Sequence, residues 1–374
     1  METLVFGKEE VSGFRDLLQK YRSKTDVVLP ASQLFMKDDG RVEAREYVAL
    51  GRDPISFSAM PTVWAQKQIA EYLGIHATYM EKMRTYPATD LMAQNVNYWF
   101  SKSHDRRLVR IFENEMIGFL SDRYHAIDNY EVLTTAMQAA QEIATEGGFE
   151  VQMLRPYLSE TAMNATLLTT DYVFLEEGNE QEKYRMGINV RNSEVGNGAF
   201  SIRPMLLRTS CMNSNIFGGH DEDTYRKIHI GKKLGLGNIW SQDTLTLQNA
   251  TVRSEIRDVT RAAFSREIAI DRINRMKGLK NEKFTPAPER IEATRRILNL
   301  TEGENKAIWD KMAMNTRYEF LQAVTSHAQS YYVSKGRPER GTELEELGGT
   351  LIDSDSIWGL IEKETARKES RKSE

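Results

Sequence analysis

The side chains able to do chemistry are few and scattered. The chain holds one cysteine, Cys211, and six histidines: His76, His104, His125, His220, His229 and His327. None has the HExxH or other close spacing that sets metal ligands on one face of a helix. One cysteine can build neither a thiolate zinc site nor an intramolecular disulfide. At the end of a strand pattern, Cys211 reads as a small buried hydrophobe before it reads as a nucleophile paired with a distant histidine. There is no GxSxG, no Walker loop and no strand-borne GxGxxG. The "HDED" run, His220 to Asp223, together with His229 has the ligand types for a divalent cation, which keeps a metal-dependent hydrolase or nuclease as one reading. Loose acidic loops have the same composition, so the expectation is no metal and no other cofactor, with catalysis unsupported by any motif and not excluded.

Binding chemistry is better represented. The stretch "TYRKIHIGKK" sets Arg226, Lys227, His229, Lys232 and Lys233 around Tyr225, next to flexible glycines. A single-strand groove uses such residues to neutralise phosphate and stack on bases, although a solvated surface looks similar. Arg203 and Arg208 lie in a strand pattern, "AFSIRPMLLRTS". Charges facing a core cost free energy, so both are expected to face solvent, a ligand or an acidic partner. The formal net charge is −4, which makes any such site a local basic stripe on a neutral to acidic body.

Two further stretches have a functional and a plain reading. In "NVRNSEVGNGAF", Gly196, Asn197 and Gly198 supply the positive-φ residues of a hairpin. A phosphate loop would need a helix N-terminus after it, and a strand pattern follows instead. In "TVWAQKQIAEYLGIHATYMEKMRTYP" the placing of Ala70, Gly74, Met80 and Met83 approaches a helix-turn-helix. Its second helix is poor in base-reading side chains, so an αα-corner packed on a sheet is the better reading.

These residues need a frame, and the pattern predicts an α+β one with a largely antiparallel sheet. At 374 residues and 40% hydrophobic, the chain can bury a sizeable core. An amphipathic helix is expected around "EEVSGFRDLLQKYRSK", residues 9–24, with Val11, Phe14, Leu17, Leu18 and Tyr21 at helical spacing, then two strands joined at Asp39-Gly40, then the helical stretch above. A hairpin around "ENE" and a helix capped by Asp128 or Asn129 and stopped by Gly147 form a β-β-α unit, and further strands follow. After about residue 241 the pattern is helical, with Arg253, Arg257 and Arg261 on a salt-bridged solvent face and Trp309, Tyr318, Phe320 and Trp358 mostly in the core. The expected organisation is an α+β core over 1–240, a helical region over 241–362 and a charged mobile tail over 363–374. No secretory leader or long apolar run is visible, so the expectation is a cytoplasmic location and no membrane partner.

Several blocks together carry a family resemblance. "GFLSDRYHAIDNYEVL", "GINVRNSEVGNGAFSIRPMLLRTSCMNS", "RKIHIGKK" and "NTRYEFLQAVTSHAQ" resemble, in order and spacing over about residues 45 to 335, the phage/plasmid-like family catalogued as domain of unknown function 932. The matching positions are Ser121, Arg123, Tyr124, Asn192, Ser193, Gly196, Arg208, Cys211, Asn213 and His229. The resemblance implies a gene carried by phages, plasmids and integrated elements. The β-β-α unit with further antiparallel strands is also similar, at fold level, to the core of single-strand annealing proteins. That analogy implies phosphate contacts from Arg203, Arg208, Arg226, Lys227 and Lys233, stacking by Tyr124 and Tyr225, and copies assembled along single-stranded nucleic acid without nucleotide hydrolysis. Arg123, His229 and Lys232 complete the expected interface. A different class of function, docking on a host protein through the helical C-terminal part, is the alternative.

Overall fold

Helix α1 (Val11–Tyr21) forms where the apolar spacing predicts it and buries Phe14, Leu18 and Tyr21. The computed structural model describes residues 4–5, 11–44, 56–86, 88–124, 127–171, 173–177, 180–218, 225–227, 242–333 and 336–373. Around α1 come β1 (Leu4–Val5), β2 (Thr25–Pro30), β3 (Leu34–Met36), β4 (Val42–Ala44) and β5 (Ser58–Pro61). Asp39-Gly40 joins β3 to β4 as expected, while β2 is a third strand that pairs elsewhere. Helices α2 (Val63–Leu73), α3 (Ala77–Thr85) and α4 (Thr89–Phe100) follow. Thr62 caps α2 by accepting the Ala65 N–H at 3.2 Å, and Gly74 ends it in the left-handed region.

Strands β6 (Arg106–Phe112) and β7 (Glu115–Ser121) make the hairpin expected around "ENE". With β2 to β5 they form a six-stranded sheet in the order β2-β6-β7-β5-β4-β3, antiparallel except where β5 meets β7. One face of this sheet packs against α2, α3 and α4 through residues such as Leu29, Val109, Ile69, Met80 and Phe100. Its outer strand β3, paired with β4 on one side, is also tied to α4 by a side chain. Asn97 of α4 donates to the Met36 carbonyl at 2.8 Å and accepts the Met36 N–H at 2.7 Å. Asn97→Ala leaves both groups without a protein partner and should cost about 2 kcal/mol. A urea midpoint lowered with an unchanged m-value would register that loss.

Helix α5 (Asn129–Gly147) starts at Asp128, whose carboxylate accepts the Tyr130 N–H at 2.9 Å, and it closes at Gly148. The second sheet collects β1 with β8 (Val151–Leu158), β9 (Met163–Thr169), β10 (Val173–Glu177), β11 (Glu180–Asn192), β12 (Phe200–Arg208), β13 (Asn213–Ile216) and β14 (Tyr225–Lys227). Its order is β1-β8-β9-β11-β12-β13, with β10 on the first half of β11 and β14 on the first residues of β12. All these pairings are antiparallel. The fold class is therefore α+β, as the residue pattern predicts.

The C-terminal half comprises α6 (Gln242–Ala263), α7 (Arg266–Gly278), α8 (Pro288–Ile297), α9 (Glu302–Trp309), α10 (Arg317–Val333), α11 (Pro338–Asp353) and α12 (Asp355–Ser373). Packing crosses the boundary expected at 240. Val252, Ile256 and Phe264 join α1, α5 and the strand residues Ile188, Val190, Phe200 and Ile202 in one cluster. Tyr184, Leu206 and Phe217 join α7 to α12 in another. Arg253 and Arg261 pair with Glu131 and Glu146 of α5, the salt-bridged face expected of α6.

Three differences from the sequence pattern have local causes. The helical pattern runs without a break signal over residues 304–335, yet the structure has two helices there, α9 and α10, because Glu319 reaches back to accept the N–H groups of Ala313, Met314 and Asn315 at 2.7 to 2.8 Å. Helix α11 lies inside the region expected to be helical, but the apolar spacing predicts no individual helix over its residues. The stretch expected as a mobile tail is helical through Ser373, with Arg290–Glu362 and Arg296–Glu364 pairs holding α12 against α8. Among the described residues, no helix is long and apolar enough to cross a membrane.

Candidate nucleic-acid interface

Strand β12 is the spine of the expected interface. Its first residues pair with β14, so that Ile202 opposes Tyr225, Ser201 opposes Arg226 and Phe200 opposes Lys227. The β11–β12 connection just before it carries Gly196 at φ +79°, the hairpin geometry its sequence implies. Tyr124 is fastened to that connection. Its hydroxyl donates to the Ser193 carbonyl at 2.8 Å and accepts the Gly196 N–H at 3.1 Å. Burial pushes this hydroxyl's pKa up, and its bonds make it a strut of the turn. Arg123, beside it, is exposed.

Arg203 and Arg208 do not share a surface. The β11–β12 register runs unbroken from Ser201 to Arg208, and side chains alternate along a strand. Five residues apart, the two arginines therefore project from opposite faces, about 17 Å apart along β12. Arg203 meets an acidic partner inside the chain, Glu346 of α11, at 2.9 Å, and Arg191 of β11 approaches the same carboxylate at 3.7 Å. Cys211 is exposed in the β12–β13 turn, which corrects the buried-hydrophobe reading, since the turn carries it off the sheet. His229, Lys232, Lys233 and the "HDED" group lie outside the described residues.

Beneath the turn sits a buried ionic cluster with no local signature in the sequence. The side chains of Lys24, Arg110 and Glu194 are 5%, 4% and 3% exposed. The Lys24 ammonium lies 2.9 Å from both Glu194 and Asp128 and 3.2 Å from the Tyr21 carbonyl. Arg110 donates at 2.8 Å to Asp26 and to the Glu194 carbonyl. Glu194 also accepts the Asn129 N–H, where the partial positive charge of the α5 N-terminus favours a carboxylate. Burial pushes the Glu194 carboxyl up, while Lys24 and Arg110 pull it back. Trp64 Nε1 and Gln68 Nε2 donate to the Val195 carbonyl at 2.8 and 2.7 Å, tying α2 to the same turn.

A second cluster closes the other side of this sheet. Glu345 of α11 is buried and accepts from Arg155 and Ser214 at 2.8 Å, Tyr332 at 3.0 Å and Gln329 at 3.2 Å. Burial pushes its carboxyl up, with Arg155 the main opposing influence. Both clusters match cations with carboxylates and backbone groups, so the chemistry they perform is locking. Among the described residues, no group of three or more His, Cys, Asp or Glu is placed to hold a metal ion. The aromatic residues of the C-terminal part lie in the helical core, as expected: Phe320 and Trp358 are buried, and Trp309 and Tyr318 pack against them. Compared with family models, curated proteins and solved structures, the chain matches none.

Proposed function

We propose that the protein binds single-stranded nucleic acid on a mobile genetic element, as a member of the phage/plasmid-like family it resembles, with pairing of complementary strands as its activity. The pairing of β14 with the start of β12 carries this reading. It brings the backbone of the Tyr225-Arg226-Lys227 triplet beside the turn that anchors Tyr124, next to exposed Arg123. Tyr124 is thus bonded within the β11–β12 connection, and β14 pairs with the strand residues that follow it. Arg203, engaged with Glu346, becomes available to phosphate only if that carboxylate is displaced.

The test is binding of labelled single strands and duplexes across a salt series. Single strands are expected to bind selectively and to weaken with salt. Replacing Arg123, Arg226 and Lys227 together by alanine removes three phosphate contacts, so the slope of log K against log salt should fall by about 2, at roughly 0.7 per contact. A wild-type protein that binds no strand even at low salt overturns the reading.

A further inference from the structure

We infer that the outward faces of α3 and α4 form a base-stacking platform for single-stranded nucleic acid, an inference that rests on the binding function proposed above. Among the residues whose side chains are described, every exposed large aromatic lies on these helices or at the end of α3: Tyr79 is 46% exposed, Tyr86 63%, Tyr98 58% and Trp99 45%. Folding does not require them outward. The same helices anchor themselves through Met80, Met83, Met92, Ala93, Val96 and Phe100, all buried in the cluster beneath the first sheet. The exposed rings are thus surplus to the core, and clustering of that kind marks an interaction surface.

The chemistry between the rings favours nucleic acid over protein. Lys82 is exposed three residues after Tyr79, the spacing of a shared helix face, and Tyr86, which ends α3, donates its N–H to the Lys82 carbonyl at 3.0 Å. The Lys102 ammonium lies 6.0 Å from the centre of the Tyr98 ring. Tyr98 and Trp99 meet edge to face at 5.1 Å, so each stiffens the other's position. Residues 63–107 carry six Lys or Arg against four Asp or Glu, in a chain whose net charge is −4. Protein interfaces are depleted in lysine, whereas single-strand sites combine cations with rings that stack on any base. This moves the stacking role from Tyr124, whose hydroxyl is used by the turn, to α3 and α4.

The experiment compares wild type with Tyr79→Ala/Tyr86→Ala and Tyr98→Ala/Trp99→Ala in binding labelled oligothymidylate across a salt series. Melting temperatures should stay near wild type, because the residues are exposed. Each pair is expected to weaken binding about tenfold or more, with the salt slope unchanged because no phosphate contact is lost. Quenching of tryptophan emission by the oligonucleotide should shrink in Trp99→Phe. Wild-type binding that survives both pairs unchanged overturns the platform and leaves the binding function standing. A wild type that binds no strand fails at the earlier step, the binding function itself. Concentration-dependent self-association abolished by the same substitutions, with strand binding intact, assigns the face to a second copy of the chain and also overturns the platform.

Discussion

Glu194→Ala is expected to destabilise the protein by about 3–5 kcal/mol, the usual cost of leaving a buried charge without its partner. Two cations lose a counter-charge at once, since Lys24 and Arg110 both face this carboxylate and neither can reach bulk water. The Asn129 N–H at the start of α5 loses its acceptor as well. Asp128 and Asp26 remain, but they are partly exposed and stand on the rim of the cluster. Urea unfolding followed by circular dichroism measures the change. A loss below about 1 kcal/mol would mean that water enters and replaces the carboxylate, as it does at exposed ion pairs.

A second variant separates charge from shape. Lys24→Met with Glu194→Met removes a cation and an anion together, leaving Arg110 on Asp26 and the Glu194 backbone carbonyl. It should cost less than Glu194→Ala alone, because exchanging a buried pair for apolar volume avoids the unpaired charge. The turn that carries Tyr124 rests on this cluster. Weakened strand binding in Glu194→Ala at temperatures where it stays folded would therefore report a displaced turn.

The elements legible in the sequence are those whose causes are local. The β6–β7 hairpin, the Asp128 cap of α5 and the β11–β12 turn each follow from a few adjacent residues. Arg203 and Arg208 were expected on one interface, although their odd separation along one strand already places the two side chains on different faces. The Glu194 cluster was not legible, because Lys24, Arg110 and Asp128 come from distant segments and an acid within "NSEVGNG" reads as an ordinary polar turn residue. Helix α4 escaped because "TDLMAQNVNYWF" has apolar residues on nearly every side, burying some and exposing Leu91, Tyr98 and Trp99. Charge density alone suggested mobility for the last residues, whereas cross-helix ion pairs with α8 order them.

Helix α11 was hidden by Gly348-Gly349, and the same two residues make the other large prediction. Glycine inside a helix usually costs about 1 kcal/mol relative to alanine, so Gly→Ala there normally stabilises. At Gly349 the sign should reverse. A Cβ would stand 2.0 Å from the Ile216 carbonyl oxygen and 2.5 Å from its carbon, and backbone cannot step aside as a side chain can. Gly349→Ala should therefore cost about 3 kcal/mol or more, at or above the upper range for overpacking. Gly359 in α12 supplies the control, because nothing lies within 4 Å of its added Cβ. Gly359→Ala should leave stability unchanged or raise it by up to about 1 kcal/mol. Thermal unfolding of the two variants in parallel would check the contrast, and equal melting temperatures would mean that α11 does not ride so closely on β13. The contact also matters for the interface: α11 carries Glu345 and Glu346, so a helix pushed off β13 withdraws the carboxylates from Arg155 and Arg203. A Gly349→Ala protein that remains folded should then bind single strands more tightly than wild type, and the salt series would show it as a steeper slope.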